Sequence, residues 1–239
     1  MGSGFGDGAG RRHGLSCRIL AGEDGKVKPQ IAIVDYETGN LHSVAKAIEK
    51  AGGHVKVTSS PLEIRRAAGV VLPGVGAFGE AAKRLSSKKL VSPILEALKR
   101  NKPFLGICLG LQLLFERSEE NPGAKGLGFF RGDIVRFWVP KKSNLKVPHM
   151  GWNTTKRGPA ANAAALRGVD NGSYFYFVHS FYPEPREKSI VSTTTPYAGS
   201  FCSSIAKGHL FASQFHPEKS GDEGQKILRN FVKDVLACS

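Results

Sequence analysis

Long hydrophobic runs are missing from this 239-residue sequence: none approaches the ~20 consecutive apolar residues needed to cross a bilayer. That argues against a membrane role. Cysteine is scarce. Cys17, Cys108, Cys202 and Cys238 lie far apart with no CxxC pair, which speaks against a disulfide framework and against a zinc site. A reducing compartment fits best, and each thiol is to be judged on its own surroundings. Acidic residues are few, 20 against 34 Lys and Arg, for a net charge of +14. Such an excess invites a nucleic-acid reading, but no zinc-finger spacing, no aromatic-rich RNP-like stretch and no basic zipper accompanies it. The basic residues of segment 81–102 (AAKRLSSKKLVSPILEALKRNK) alternate with Leu85, Leu90, Ile94, Leu95 and Leu98, as on solvated helix faces above an apolar stripe. Neither nucleic acid nor membrane is expected as a partner, and no metal and no cofactor are expected.

A chain of this length can bury roughly 70% of the surface its unfolded form exposes. A hydrophobic content of 41% and a mean hydropathy of -0.20 describe an ordinary soluble protein. Residues 1–29 stand apart. MGSGFGDGAG opens the chain, no apolar periodicity follows, and no hydrophobic h-region marks a secretory signal. A disordered tail is expected there. Its arginines also suit an organelle transit peptide, against which stand Asp7, Glu23 and Asp24, so the expected location is cytoplasmic with a plastid or other organelle left open.

From Gln30 the pattern becomes α/β, and one domain is expected over 30–239. Ile31–Val34 (IAIV) reads as a parallel strand covered on both faces. Asn40 can cap a helix whose apolar positions are Leu41, Val44, Ala45 and Ile48, ending at Gly52 and Gly53. HVKVT (54–58) and GVVL (69–72) read as strands, 79–86 and 90–100 as helices, and Phe104–Ile107 as a further strand. The fold class is therefore α/β, a doubly wound, mostly parallel sheet. IVRFW (134–138), SYFYFVH (173–179), SIVSTT (189–194) and LFASQF (210–215) suggest an antiparallel extension, and 222–236 a closing amphipathic helix.

The strongest chemical signal is Gly106-Ile107-Cys108-Leu109-Gly110. An apolar strand runs into Cys108, and LGLQLLFE then begins a helix. This is the pattern of a nucleophile elbow, whose strained turn needs small residues on both sides. At a helix N-terminus the macrodipole would favour a thiolate. The bland alternative is a buried structural cysteine. Of seven histidines, six (His13, His42, His54, His149, His179 and His209) stand in contexts that suggest little. His216 ends the strand LFASQF and precedes Pro217 and Glu218. Glu218 can orient its imidazole and stabilise the imidazolium, completing a Cys–His–Glu arrangement. Pro73-Gly74-Val75-Gly76 follows GVVL, and its glycines permit unusual backbone angles. It can aim N–H groups at an oxyanion with the N–H of Leu109 as second donor, or be a plain strand-to-helix turn.

With these elements in order, the chain resembles the class I glutamine amidotransferases, and within them the glutaminase subunits of imidazole glycerol phosphate synthase, an enzyme of histidine biosynthesis. The likeness spans about Gln30 to Val235. It rests on DYETGN (35–40), PGVGAFG (73–79), GICLGLQLLFE (106–116), SEENPGAKGLG (118–128), VPHMGWN (147–153), YFVHSF (176–181) and QFHPEKSG (214–221). The resemblance implies that Cys108 attacks the amide of glutamine, His216 protonates the leaving ammonia and Glu218 orients His216. It implies oxyanion donors at Val75 and Leu109 beside Gly76, and substrate contacts from Gly74, Gln112, Glu120 and the Ser180–Phe181 backbone. Phe181 stands where the family often has tyrosine, which matters little if only its backbone is used. It further implies a heterodimer with a (β/α)8 cyclase, expected from a separate chain. That partner takes up the ammonia and releases imidazole glycerol phosphate and AICAR. Met150, Trp152, Tyr176 and Lys219 match interface positions, with a core indole as the alternative for Trp152. Sister glutaminases of anthranilate, aminodeoxychorismate or GMP synthesis, and a catalytically silent binding subunit, are the rival readings.

Overall fold

The computed structural model describes residues 1, 28–37, 39–140 and 142–239. Cys17 and nearly all of the 1–29 stretch, with the tail expected there, lie outside those residues. The first half alternates strand and helix: β1 (Gln30–Val34), α1 (Leu41–Lys50), β2 (His54–Thr58), α2 (Pro61–Arg66), β3 (Gly69–Gly74), α3 (Phe78–Ser87), α4 (Val91–Lys99), β4 (Phe104–Cys108) and a single-turn α5 (Leu109–Gln112). The second half is mostly strand: β5 (Arg117–Ser118), β6 (Gly132–Arg136), β7 (His149–Thr154), β8 (Lys156–Arg157), β9 (Tyr174–His179), β10 (Phe181–Pro185), β11 (Val191–Pro196), β12 (Ser200–Lys207) and β13 (Leu210–Ser213). Helix α6 (Gly221–Ala237) closes the chain.

Eight strands form the main sheet in the order β2-β1-β3-β4-β13-β12-β11-β8. The first five are mutually parallel and the last three run antiparallel. Alternation along β1 divides the core. Ile31 and Ile33 face α1 and α6, packing with Val44, Ile48, Ile227, Leu228 and Phe231. Ala32 and Val34 face the opposite layer, with Ile64, Phe78, Leu85 and Ile94 of α2, α3 and α4. Helices thus cover both faces, as the continuous apolar strands require. Asn40 caps α1 as expected, its side chain accepting from the Ser43 N–H at 3.3 Å. Helix α2 was not foreseen. Ser60 caps it by accepting from the Glu63 N–H, and Pro61 occupies the first turn, where a missing N–H is harmless.

Three expectations need correction. LFASQF does not belong to the antiparallel extension alone. Its β13 pairs parallel with β4 on one side and antiparallel with β12 on the other, and all four of its residues are buried, which suits a central strand. The expected extension is also divided. SYFYFVH supplies β9 of a separate two-stranded ribbon with β7, and IVRFW supplies β6 of a small sheet ordered β10-β6-β5. Period-two alternation marks a half-buried strand but not its partner. Finally, the helix expected from LGLQLLFE stops after one turn. The carbonyls of Leu113, Leu114, Phe115 and Glu116 accept from the N–H groups of Leu127, Phe130, Gly128 and Gly126. A returning loop takes the bonds that a longer helix would have used.

Phe231→Ala empties a buried site beneath the sheet and is expected to lower unfolding free energy by about 3–5 kcal/mol. On the same helix Leu236 is 55% exposed, so Leu236→Ala is expected to stay within about 0.5 kcal/mol of the parent. Urea denaturation of both variants checks the difference.

Candidate active site

The carboxyl ends of β3, β4 and β13 meet beside one cavity of about 570 Å³. Cys108 sits at its floor, where β4 turns into α5. Its backbone has φ 53° and ψ -107°, a left-handed conformation costly for a non-glycine residue. Its neighbours make that turn possible. A Cβ on Gly110 would lie 1.8 Å from the Leu72 carbonyl oxygen, and one on Gly106 would lie 2.8 Å from the Ala212 Cβ. The elbow read from the sequence is present. The macrodipole expected to act on Cys108 is reduced to that of a single turn.

Strand β13 ends at Ser213 and delivers Gln214 and His216 beside Cys108. Gln214 is fully buried, and its Nε2 donates to the Cys108 Sγ at 3.6 Å. His216 leads into a short 3-10 turn over Pro217–Lys219. Its Nδ1 lies 2.8 Å from the Glu218 Oε1, and both side chains are almost wholly buried. The His216 Nε2 is buried without a hydrogen bond of acceptable geometry. Burial by itself favours the neutral ring. The adjacent Cys108 sulfur and the Glu218 carboxylate outweigh it, so the His216 pKa is raised and the ring favours its protonated form. The turn is anchored from below: the Ser220 hydroxyl donates to the His216 carbonyl at 2.6 Å and accepts from the Tyr176 N–H at 3.0 Å.

The loop after β3 forms one wall. Gly74 pairs in register with Cys108, and a Cβ there would lie 2.1 Å from the Tyr36 Oη. That hydroxyl donates to the Pro73 carbonyl at 2.8 Å, fixing the start of the loop. Gly76 differs: a Cβ would meet nothing within 4 Å, but φ is +97°. Val75, Gly76 and Leu109 all line the cavity. Gln112 closes the inner end, its Nε2 donating to the Phe181 carbonyl at 3.0 Å and to the Gln214 Oε1 at 3.1 Å. Ser180, Phe181 and Glu120 line it too, as do Ala77, Pro148, Val178 and His179. One Glu120 oxygen also accepts from the Phe78 N–H at 2.7 Å, capping α3, whose own N-cap Ala77 has no side chain to do so.

The expected interface residues gather on the outer face of the β7–β9 ribbon. Met150 is 63% and Trp152 57% exposed, so the core-indole alternative for Trp152 does not hold. Trp152 meets Tyr176 edge-on at 6.2 Å between ring centroids, and the Lys219 Nζ lies 5.9 Å from the centre of the same tyrosine ring. Residues from three separate segments of the chain thus form one surface.

Sequence reasoning passed over Gln214, Ser220, His149 and His179. The two histidines stand opposite one another across the ribbon, buried, with His149 Nδ1 3.0 Å from His179 Nε2. All four lie inside the motifs VPHMGWN, YFVHSF and QFHPEKSG, and their position in those motifs was the only available signal. At the amino end of the central strand β13, His209, Asp234 and Cys238 bring potential metal-ligand atoms within 4.8 Å of one another, a grouping that the expectation of no metal did not anticipate. No helix among the described residues is long and apolar enough to cross a membrane.

The profile of the family described as glutamine amidotransferase class-I matches residues 32–235. The protein named imidazole glycerol phosphate synthase subunit HisH in Moorella thermoacetica is 50% identical over 201 residues, covering 84% of this chain and 93% of that protein. Its namesake in Rhodopirellula baltica is 45% identical over 202 residues, covering 84% of this chain and 96% of that protein. Among solved structures, a putative GMP synthase subunit from Thermoplasma acidophilum shares the fold with a TM-score of 0.66. It is 19% identical, and the match covers 88% of this chain and 95% of that chain. This chain belongs to the class I glutamine amidotransferases.

Proposed function

We propose that this chain is the glutaminase subunit of an imidazole glycerol phosphate synthase, with Cys108, His216 and Glu218 as its catalytic groups. The observation that carries the reading is the buried His216–Glu218 pair delivered beside a cysteine on a strained elbow. Identities of 45–50% to subunits of that synthase, over nearly their whole lengths, favour this partner over the sister synthases.

The geometry supports the following reaction. The Cys108 sulfur, its proton already held by His216, adds to the side-chain carbonyl carbon of glutamine. The oxygen becomes an anion, received by the N–H groups of Val75 and Leu109. His216 then protonates the departing nitrogen, ammonia leaves and a thioester remains. Water, deprotonated by the same imidazole, attacks the thioester. Glutamate leaves and the thiol is restored, so the sum is glutamine and water to glutamate and ammonia. Glu218 holds the ring and stabilises its cation throughout. Gly74, Gln112, Glu120, Ser180 and Phe181 hold the substrate.

Ammonia is useful only where it is consumed. A (β/α)8 cyclase docked on Met150, Trp152, Tyr176 and Lys219 would receive it. Glycine on each side of Val75, with Gly76 at φ +97°, gives the Gly74–Val75–Gly76 peptides room to turn an N–H towards the oxyanion when that partner and its acceptor are bound. A cytoplasmic location suits this role.

Glutamate release by the purified chain, alone and with a histidine-pathway cyclase and its nucleotide acceptor, tests the reading. Strong stimulation that is lost in Cys108→Ala is the expected result. No release under any condition, or release unchanged by Cys108→Ala, would contradict it. Glu218→Gln is expected to lower kcat on the order of 100-fold. Removing the carboxylate lowers the His216 pKa, so the protonated ring is lost at a lower pH than in the parent. A pH–rate profile reads that shift. Trp152→Ala is expected to weaken cyclase binding by about 2 kcal/mol with an unchanged melting temperature, as calorimetry can measure. Gly76→Val, forced to φ +97°, should lose cyclase stimulation while Cys108 remains open to alkylation.

A further inference from the structure

At the cavity wall Asn153, His149 and His179 form a row of polar side chains that the reaction above does not use. The His179 Nδ1 is 2.9 Å from the Phe181 carbonyl oxygen. Its Nε2 faces the His149 Nδ1 at 3.0 Å. The His149 Nε2 is 3.2 Å from the Asn153 Nδ2, which also donates to the Pro196 carbonyl at 2.9 Å. Asn153 Oδ1 accepts from the Thr154 N–H at 2.8 Å, so the other end of that amide carries the hydrogens.

Chemistry assigns a direction to this row. A carbonyl can only accept, so His179 carries its hydrogen on Nδ1. A neutral ring then has a bare Nε2, which must accept from His149. His149 therefore also carries its hydrogen on Nδ1, and its bare Nε2 accepts from Asn153. Both rings favour the neutral form: burial draws His149 down to about 4 and His179 down to about 3. Around them are the rings of Phe137, Phe177, Tyr197 and Phe201. A second run of bonds meets the first at Phe181. The same carbonyl accepts from Gln112, Gln112 donates to Gln214, and Gln214 donates to the Cys108 sulfur.

We propose that Asn153, His149 and His179 are positioning residues for glutamine turnover, a one-directional hydrogen-bond line that holds the Phe181 carbonyl and the Gln112 amide in place. Through Gln214 the line reaches the nucleophile. It acts where the chain is least supported by a single sheet. At Ser180 the backbone leaves the β7–β9 ribbon and enters the β10-β6-β5 sheet, and the His179 imidazole ties the two sides of that step together. The line starts on the ribbon whose outer face exposes Met150 and Trp152. The inference rests on reading the cavity as the glutamine site.

Two measurements test it. Nitrogen NMR of the full chain labelled in histidine, at neutral pH, should find His149 and His179 both as the Nδ1–H tautomer, the less common form of free imidazole. An Nε2–H tautomer or a protonated ring at either position overturns the line. Kinetics with the cyclase partner provide the second. His149→Phe keeps an aromatic ring among its neighbours but cannot donate. It is expected to lower kcat/KM for glutamine about ten-fold, mainly through KM, the effect of losing one buried hydrogen bond. His149→Asn places an N–H near the position of the lost Nδ1–H and should restore most of that loss. A His149→Phe protein with the parent KM, or an Asn variant no better than Phe, overturns the proposal. If the parent chain releases no glutamate at all, the glutaminase reading fails, and the tautomers alone decide the line. If the Phe variant does not fold, the tautomers decide it too.

Discussion

The structure depends first on the close approach of Gly110 to the carbonyl of Leu72. That contact lets β4 turn sharply into α5 and holds Cys108 at φ 53°, a conformation costing about 1–3 kcal/mol. Other features follow from it. Helix α5 is one turn long, and the carbonyls beyond it are taken by the segment 126–130. Gly74 sits in register with Cys108, so the loop after β3 is brought over the sulfur. The strain is borne by a sheet covered on both faces, into whose core Cys108 and Leu109 themselves pack.

Around this elbow one residue type is used in two ways. His216 is buried against a carboxylate and a cysteine, and its charged form is favoured. His149 and His179 are buried among aromatic rings, and their neutral forms are favoured. Burial acts in the same direction on all three, and the neighbours decide the outcome. The first setting suits the proton transfer proposed for His216. Rings that must keep a fixed tautomer need the second.

Much of this was legible in the sequence, for identifiable reasons. IAIV, GVVL and the Phe104–Ile107 run are continuously apolar because both faces of the parallel sheet are covered, and such runs are hard to mistake. Cys108 between Gly106 and Gly110 announced its turn because no other residues fit there. His216 and Glu218 were legible because they lie two residues apart. Pairings that depend on distant chain were not. Gln214 acquires meaning only when β13 returns beside β4, and His149 only when β7 lies against β9. The short reach of α5 was hidden as well, because LGLQLLFE has good helical pattern and the competing N–H groups come from residues 126–130. The exposure of Trp152 was equally a matter of tertiary placement, since an indole in a strand suits a core just as well.

The central claim is that Cys108 alone among the described thiols is the nucleophile. Cys202 is buried, and burial pushes its thiol up to about 12, while Cys238 is exposed and also raised. The most direct measurement is peptide mapping by mass spectrometry after treatment with an electrophilic glutamine analogue, with and without excess glutamine, in the presence of the cyclase. Labelling confined to Cys108 and suppressed by glutamine is the predicted result. Labelling at Cys202 or Cys238 instead, or a Cys108 that stays unmodified while glutamate is still released, would contradict the account.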